Sequence, residues 1–121
     1  MTETALPPLV SLADAMSAEL QPDPDPPEAT HGEANASYAE LYRDDVVECG
    51  VWEVTPGVFP SSKDGVGEHM HILAGSATVT GDDGVSVELS PGVTWVAPDG
   101  WRGTWDVRET IRKVYVIWRT G

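Results

Sequence analysis

From Tyr38 onward, apolar and polar residues fall in short runs rich in Val, Thr, Trp and Tyr, broken repeatedly by Gly, Pro and Asp. That rhythm predicts an all-β sandwich or barrel, because strands bury alternate residues and their connections need turn formers. Alternation places strands near Ala39–Tyr42, Val46–Thr55, Glu68–Leu73, Ala77–Thr80, Val85–Leu89, Thr94–Ala97, Gly103–Val107 and Lys113–Trp118. Gly81-Asp82-Asp83-Gly84 reads as a hairpin loop, since Asp-Gly tolerates the positive φ such turns demand. Pro56-Gly57, Pro91-Gly92 and Pro98-Asp99-Gly100 mark further turns. No helical period interrupts the stretch, which disfavours a parallel α/β fold.

Upstream the pattern differs. Leu12, Ala15, Met16 and Leu20 share one face at helical spacing, with Ser11 as N-cap, so Ser11–Leu20 is predicted as a short amphipathic helix. It is too short to be stable alone. Gln21–Gly32 carries four prolines and no apolar period, so it is expected to be an extended linker. Residues 1–37 are therefore read as a partly flexible arm, and residues 38–121 as the barrel domain.

Composition narrows the partners. The 121 residues suffice for one domain with one core. A net charge of −13 repels phosphate backbones and anionic lipid, so neither nucleic acid nor a membrane is an expected partner. The excess sits in the arm: Met1–Glu48 holds 11 acids and one base, the remainder nine acids and six bases. The single cysteine, Cys49, forms no internal disulfide, and the first residues lack the basic start and apolar run of a signal peptide. A cytoplasmic location is the resulting expectation.

Two segments combine turn chemistry with fixed spacing. Glu68-His69-Met70-His71-Ile72-Leu73-Ala74-Gly75 has an acid, six intervening residues and a glycine, and Gly92-Val93-Thr94-Trp95-Val96-Ala97-Pro98-Asp99-Gly100 has a glycine, five intervening residues and Pro-x-Gly. Their order and separation resemble the two cupin motifs. More narrowly, Gly50–Phe59, Ile72–Gly75, the Asp-Asp-Gly hairpin and Gly103–Trp118 resemble small single-domain cupins grouped with the cupin domain of (S)-ureidoglycine aminohydrolase. The resemblance covers about Tyr38 to Trp118. It implies a jelly-roll barrel of two antiparallel sheets with the active site inside. It also implies where metal ligands would stand: two histidines ahead of the motif-one glutamate, and one three residues after Pro-x-Gly. Here the glutamate is Glu68, but the paired-histidine positions fall among Ser61, Ser62, Lys63 and Asp64, and the last falls on Gly103. With three of four usual ligands missing, no metal or other cofactor is expected.

His69-Met70-His71 looks like a displaced ligand pair. Side chains alternate across a strand, however, so Glu68, Met70 and Ile72 facing inward turn His69 and His71 outward. A carboxylate inside a barrel needs a partner, because burying it unpaired costs several kcal/mol. Lys113 is the expected partner, and Tyr115 shares its face, which matches the polar pocket face of the resembled family's ending. By the same parity Trp101, Gly103 and Trp105 point inward, with Gly103 leaving space where a histidine would stand and Trp105 walling it. Glu53 is a second candidate inward acid.

These residues suit a metal-independent enzyme, a hydrolase, isomerase or lyase, acting on a small nitrogenous or carboxylated metabolite. In it Glu68 is acid/base, and Lys113 and Tyr115 stabilise charge. Met70, Ile72 and the aromatic residues would shape the pocket. They also suit a non-catalytic binding or sensing module in which Glu68–Lys113 is a structural ion pair. A metal-dependent aminohydrolase would need a replacement ligand set such as Glu68 with Asp64, a poor transition-metal site. Exposed strand edges and outward apolar residues such as Leu73 and Val79 predict a homodimer.

Overall fold

The structure, a computed structural model, describes residues 9–120. Among the described residues there are nine strands: β1 (Gln21–Pro22), β2 (His31–Gly32), β3 (Ala36–Arg43), β4 (Val47–Val54), β5 (Gly57–Ser62), β6 (Val66–Gly81), β7 (Ser86–Leu89), β8 (Thr94–Ala97) and β9 (Arg102–Arg119). All pairings are antiparallel. Helix is absent from the described residues, so none there is long and apolar enough to cross a membrane.

Strand β9 organises the jelly-roll. Its first half pairs with β5, its second half with β4, and both halves pair with β6 on the other side. Strand β6 extends the sheet to β7 and β8. The sequence runs Glu68–Leu73 and Ala77–Thr80 are thus one strand, as are Gly103–Val107 and Lys113–Trp118. Strand β5 went unrecognised because Gly57, Pro60 and two serines break its apolar alternation.

The parity of β6 changes midway. Glu68, Met70 and Ile72 are buried in its first half, whereas Ala77 and Val79 are buried in its second. Register shifts against β9 between Ile72 and Ala77 supply the change. Gly75 makes them possible: its φ is +94°, and a Cβ there would lie 2.1 Å from the Thr110 carbonyl oxygen. Val79, expected to face outward, therefore belongs to the core with Val54, Phe59, Ile72 and Ile111, and Leu73 is half-buried. Opposite, β9 keeps one parity throughout, burying Gly103, Trp105, Val107, Ile111, Lys113 and Tyr115.

The described part of the arm, residues 9–37, is docked rather than helical. Instead of the helix expected over Ser11–Leu20, residues 15–17 form a turn in which Asp14 Oδ1 accepts from the Met16 amide at 3.1 Å. Arg112 Nη1 donates to the carbonyls of Ala15 and Met16 at 2.8 Å and of Ala18 at 3.3 Å. A lone helix of this length is marginal, and the guanidinium satisfies these carbonyls more strongly than a fraying helical turn would. The proline-rich segment that follows is tied down at both ends: β1 pairs with β3 at Ser37 and Tyr38, and β2 pairs with β5 at Gly57 and Val58. Residues 23–30 span the interval as a strap.

Candidate active site in the barrel mouth

A cavity of about 660 Å³ opens beneath that strap. Its floor is an ion triad. Glu68, on β6, is 3% exposed, and Lys113, on β9, is 5% exposed. Lys113 Nζ donates to Glu68 Oε2 at 2.6 Å, and Lys63 Nζ lies 3.0 Å from Glu68 Oε1. Lys63 stands in the short connection between β5 and β6, where its amide donates to the Trp101 carbonyl at 2.8 Å and its carbonyl accepts from the Gly100 amide at 2.6 Å. That double anchor aims the side chain inward.

The walls are aromatic. The Lys113 ammonium sits over the rings of Trp52 and Trp105, at 4.5 and 5.0 Å from their centroids, and Trp105 stacks on Phe59 at 5.8 Å. Trp52 lies directly opposite Lys113 in the β4–β9 register, which places indole and ammonium side by side. At the rim Trp52 Nε1 donates to Asp23 Oδ2 at 3.0 Å. Tyr115 donates its hydroxyl to Glu48 Oε2 at 2.8 Å, and Arg43 Nη2 donates to Glu48 Oε1 at 3.0 Å.

Burial alone would push the Glu68 carboxyl up, but Lys113 and then Lys63 overcome it and hold the group below its ordinary 4.5. Burial depresses Lys113 below its ordinary 10.5; Glu68 opposes that shift and the neighbouring Lys63 charge reinforces it. Burial, with the hydrogen bond to Glu48, raises Tyr115 far above the usual phenol value, so it serves as a hydrogen-bond donor and not as a base. One carboxylate thus faces two ammoniums. The floor carries a surplus positive charge, which can hold an anionic group and return a proton to it.

Of the sequence-derived candidates, Glu68, Lys113, Tyr115 and Trp105 line the cavity together. The others lie elsewhere. Glu53 points to the opposite face of β4, where its Oε1 accepts from Arg112 Nε at 3.1 Å, because it follows Trp52 by one residue and strand parity reverses. Met70 and Ile72 are wholly buried in the core; Met70 approaches the site only through Sδ, 3.9 Å from Lys113 Nζ. Gly103 leaves no vacant space, since a Cβ on it would lie 2.6 Å from the Trp101 ring and 2.3 Å from the Thr80 carbonyl oxygen. Trp101 packs edge-on against Trp95 at 5.2 Å instead of facing the cavity.

Lys63, Trp52 and Asp23 were not identified from sequence as site residues. Lys63 had a signal, since it falls in the window, residues 61–64, where the resembled motif would set its paired histidines. Trp52 had the parity of a β4 residue opposite Lys113. Asp23 had none, because only the docking of the arm brings it there.

The donor set does not fit a cupin metal ion. Glu68 is enclosed by ammoniums, Asp64 is exposed and paired with Arg102 at 2.8 Å, and no group of three or more His, Cys, Asp or Glu among the described residues could hold a metal. His69 is exposed on the far face from Glu68, and His71 Nδ1 lies 3.1 Å from Thr94 Oγ1 on that same face.

A jelly-roll barrel whose motif-one glutamate lies at the floor of an interior pocket defines a cupin domain. Residues 41–115 match the family model of the EutQ-like cupin domain, and the chain belongs to that family. No curated protein matches it. Among solved structures it is similar to Clostridium difficile EutQ (20% identity, TM-score 0.63, 72% of this chain and 64% of that one). A DUF861-family protein of unknown function from Pseudomonas syringae aligns with TM-score 0.76 and 24% identity over 86% of this chain and 46% of that one. Ectoine synthase from P. lautus shares the fold at 12% identity and TM-score 0.65, over 75% of this chain and 68% of that one. The chain thus spans less than two thirds of the length of the first two.

Proposed function

We propose that this cupin handles a small anionic metabolite in the barrel interior, as a metal-independent enzyme of the acid–base type. The observation that carries the reading is the Lys63–Glu68–Lys113 triad at the cavity floor, where two ammoniums share one carboxylate. In this reading the anionic group of the ligand settles on the donor hydrogens that Glu68 leaves unused. Glu68 holds both lysines in place, and Lys63, the more accessible of the two, is the group that passes a proton to the substrate. Tyr115 and Glu48 fix the wall beside them. A hydrolase, isomerase or lyase fits such a floor. An aminohydrolase like (S)-ureidoglycine aminohydrolase would need a set of metal ligands around Glu68, which is paired here with two lysines instead.

The test is a carboxylate and nitrogenous-metabolite panel, followed by binding and turnover, on the wild type and on Lys63→Met. Turnover by metal-stripped protein, lost in Lys63→Met while the fold persists, supports the reading. Saturable binding with no turnover would instead make the domain a sensing or carrier module. Activity that appears only with added manganese, iron or zinc would overturn it.

A further inference from the structure

The cavity carries opposite charges at its two ends. Its floor holds Lys63 and Lys113 against the single Glu68, whereas the strap contributes Asp23, Asp25 and Glu28 to its lining. None of those three strap acids has an ion-pair partner among the described residues. The one arginine lining the cavity, Arg43, is occupied by Glu40 and Glu48.

One side chain fixes the separation. The indole of Trp52 takes the Lys113 ammonium against its face, 4.5 Å from the ring centroid, and the Asp23 carboxylate at its N–H edge, 3.0 Å from Nε1. A rigid ring thus spaces a positive and a negative group across one wall. Asp23 is itself held in place: its amide donates to the Ala36 carbonyl at 3.0 Å, and its Oδ1 accepts from the Asp25 amide at 2.9 Å. A carboxylate offers about four acceptor positions. With one taken by the indole and one by the Asp25 amide, it retains capacity towards the cavity.

A simple anion would satisfy the floor and face uncompensated carboxylates at the rim. A simple cation would meet the reverse. Either mismatch costs binding free energy, because discrimination rests on repulsion as much as on attraction. We propose that the ligand is a zwitterion, its anionic group on Lys63 and Lys113 and its cationic group on Asp23 across the Trp52 ring, the two charges separated by a short apolar chain. This rests on the anionic-floor reading above and adds the second recognition point. Asp23 is then the residue that sets specificity, and the strap is part of the binding site.

The experiment titrates two series into the full chain by calorimetry. One comprises glycine, β-alanine, 4-aminobutyrate and 5-aminopentanoate; the other comprises acetate, propionate, butyrate and pentanoate. Expected is at least one amino acid that binds about tenfold or more tightly than the parent acid of equal length, as a charge-assisted hydrogen bond supplies. In Asp23→Asn, which keeps an oxygen for the indole N–H and loses the charge, that advantage falls to about onefold, the amino acids binding more weakly while the parent acids bind as tightly as before or more tightly. Carboxylates that bind with no amino-acid advantage, or an Asp23→Asn variant that weakens both series equally, would overturn the zwitterion proposal and leave the floor reading standing. Binding by neither series, with Lys63→Met indistinguishable from wild type, would overturn both.

Discussion

Lys113 and Glu68 meet at 2.6 Å where neither side chain is more than 7% exposed, and the second carboxylate oxygen is held by Lys63 at 3.0 Å. The consequences of removing each partner differ. Glu68→Gln leaves two ammoniums facing one another out of water and is expected to cost about 3–5 kcal/mol, the usual loss when one partner of a buried pair is deleted. Lys63→Met leaves the Lys113–Glu68 pair intact and is expected to cost about 1–3 kcal/mol. Urea unfolding of the two variants measures the difference, and equal losses would mean that Lys63 is as structural as Lys113.

The triad also sets an acid limit. Because Glu68 has its carboxyl below 4.5 in the folded state, it contributes stability that is complete above the unfolded value and disappears as the pH falls through the folded one. The stability gap between wild type and Glu68→Gln is therefore expected to hold at neutral pH and to shrink only in the acid range below 4.5. Denaturation curves across that range read it out. A gap that widens on acidification would reverse the assigned direction.

Gly103 occupies the position where the metal-binding pattern has histidine, yet restoring that residue is expected to harm the fold without creating a site. A Cβ there meets the Thr80 carbonyl oxygen and the Trp101 ring at 2.3 and 2.6 Å. Gly103→His should lose at least about 1–3 kcal/mol through overpacking. Thermal melting and metal analysis test both halves; a stable variant that retains zinc would show that Trp101 yields its place.

Arg112 secures the arm from the outer face through three carbonyls and Glu53. Arg112→Ala is expected to release residues 15–20 and to raise protease cleavage within the strap several-fold, since nicking follows local opening. Limited proteolysis with mass mapping checks it. Unchanged cleavage would place the hold on β1 and β2 alone.

His69 and His71 look away from the triad. His69→Ala is expected to shift stability by no more than about 0.5 kcal/mol, as exposed positions generally do. It should leave ligand binding unaltered. Loss of binding in that variant would contradict the inward parity of Glu68.

Much of this was legible in the sequence, and for identifiable reasons. Alternation along Glu68–Ile72 and Lys113–Tyr115 put the ion pair on one inner face, and strand pleat guarantees that pattern wherever one face is buried. The same logic misplaced Val79, because the register shift around Gly75 reverses parity and a lone glycine does not announce its φ. It misplaces Glu53 because nothing local in β4 fixes which parity faces inward, and the pairing of Trp52 with Lys113 turns the acid to the other face. The arm misled most. Its helical spacing is real, but the bonds from Arg112 are nearly a hundred residues distant in sequence, and no local pattern reports them.

Strands β6 and β9 are zipped together at fourteen residue pairs, while the proline-rich span over the cavity is fastened by two pairs at each end. A molecule pressing inward therefore meets resistance that fails at those four fastenings long before the wall deforms. Passage becomes a matter of local fraying, a low-energy event decoupled from unfolding of the whole domain. The amides of Asp23 and Thr30, bonded to the Ala36 and Val58 carbonyls, are the ones whose solvent exchange would clock it.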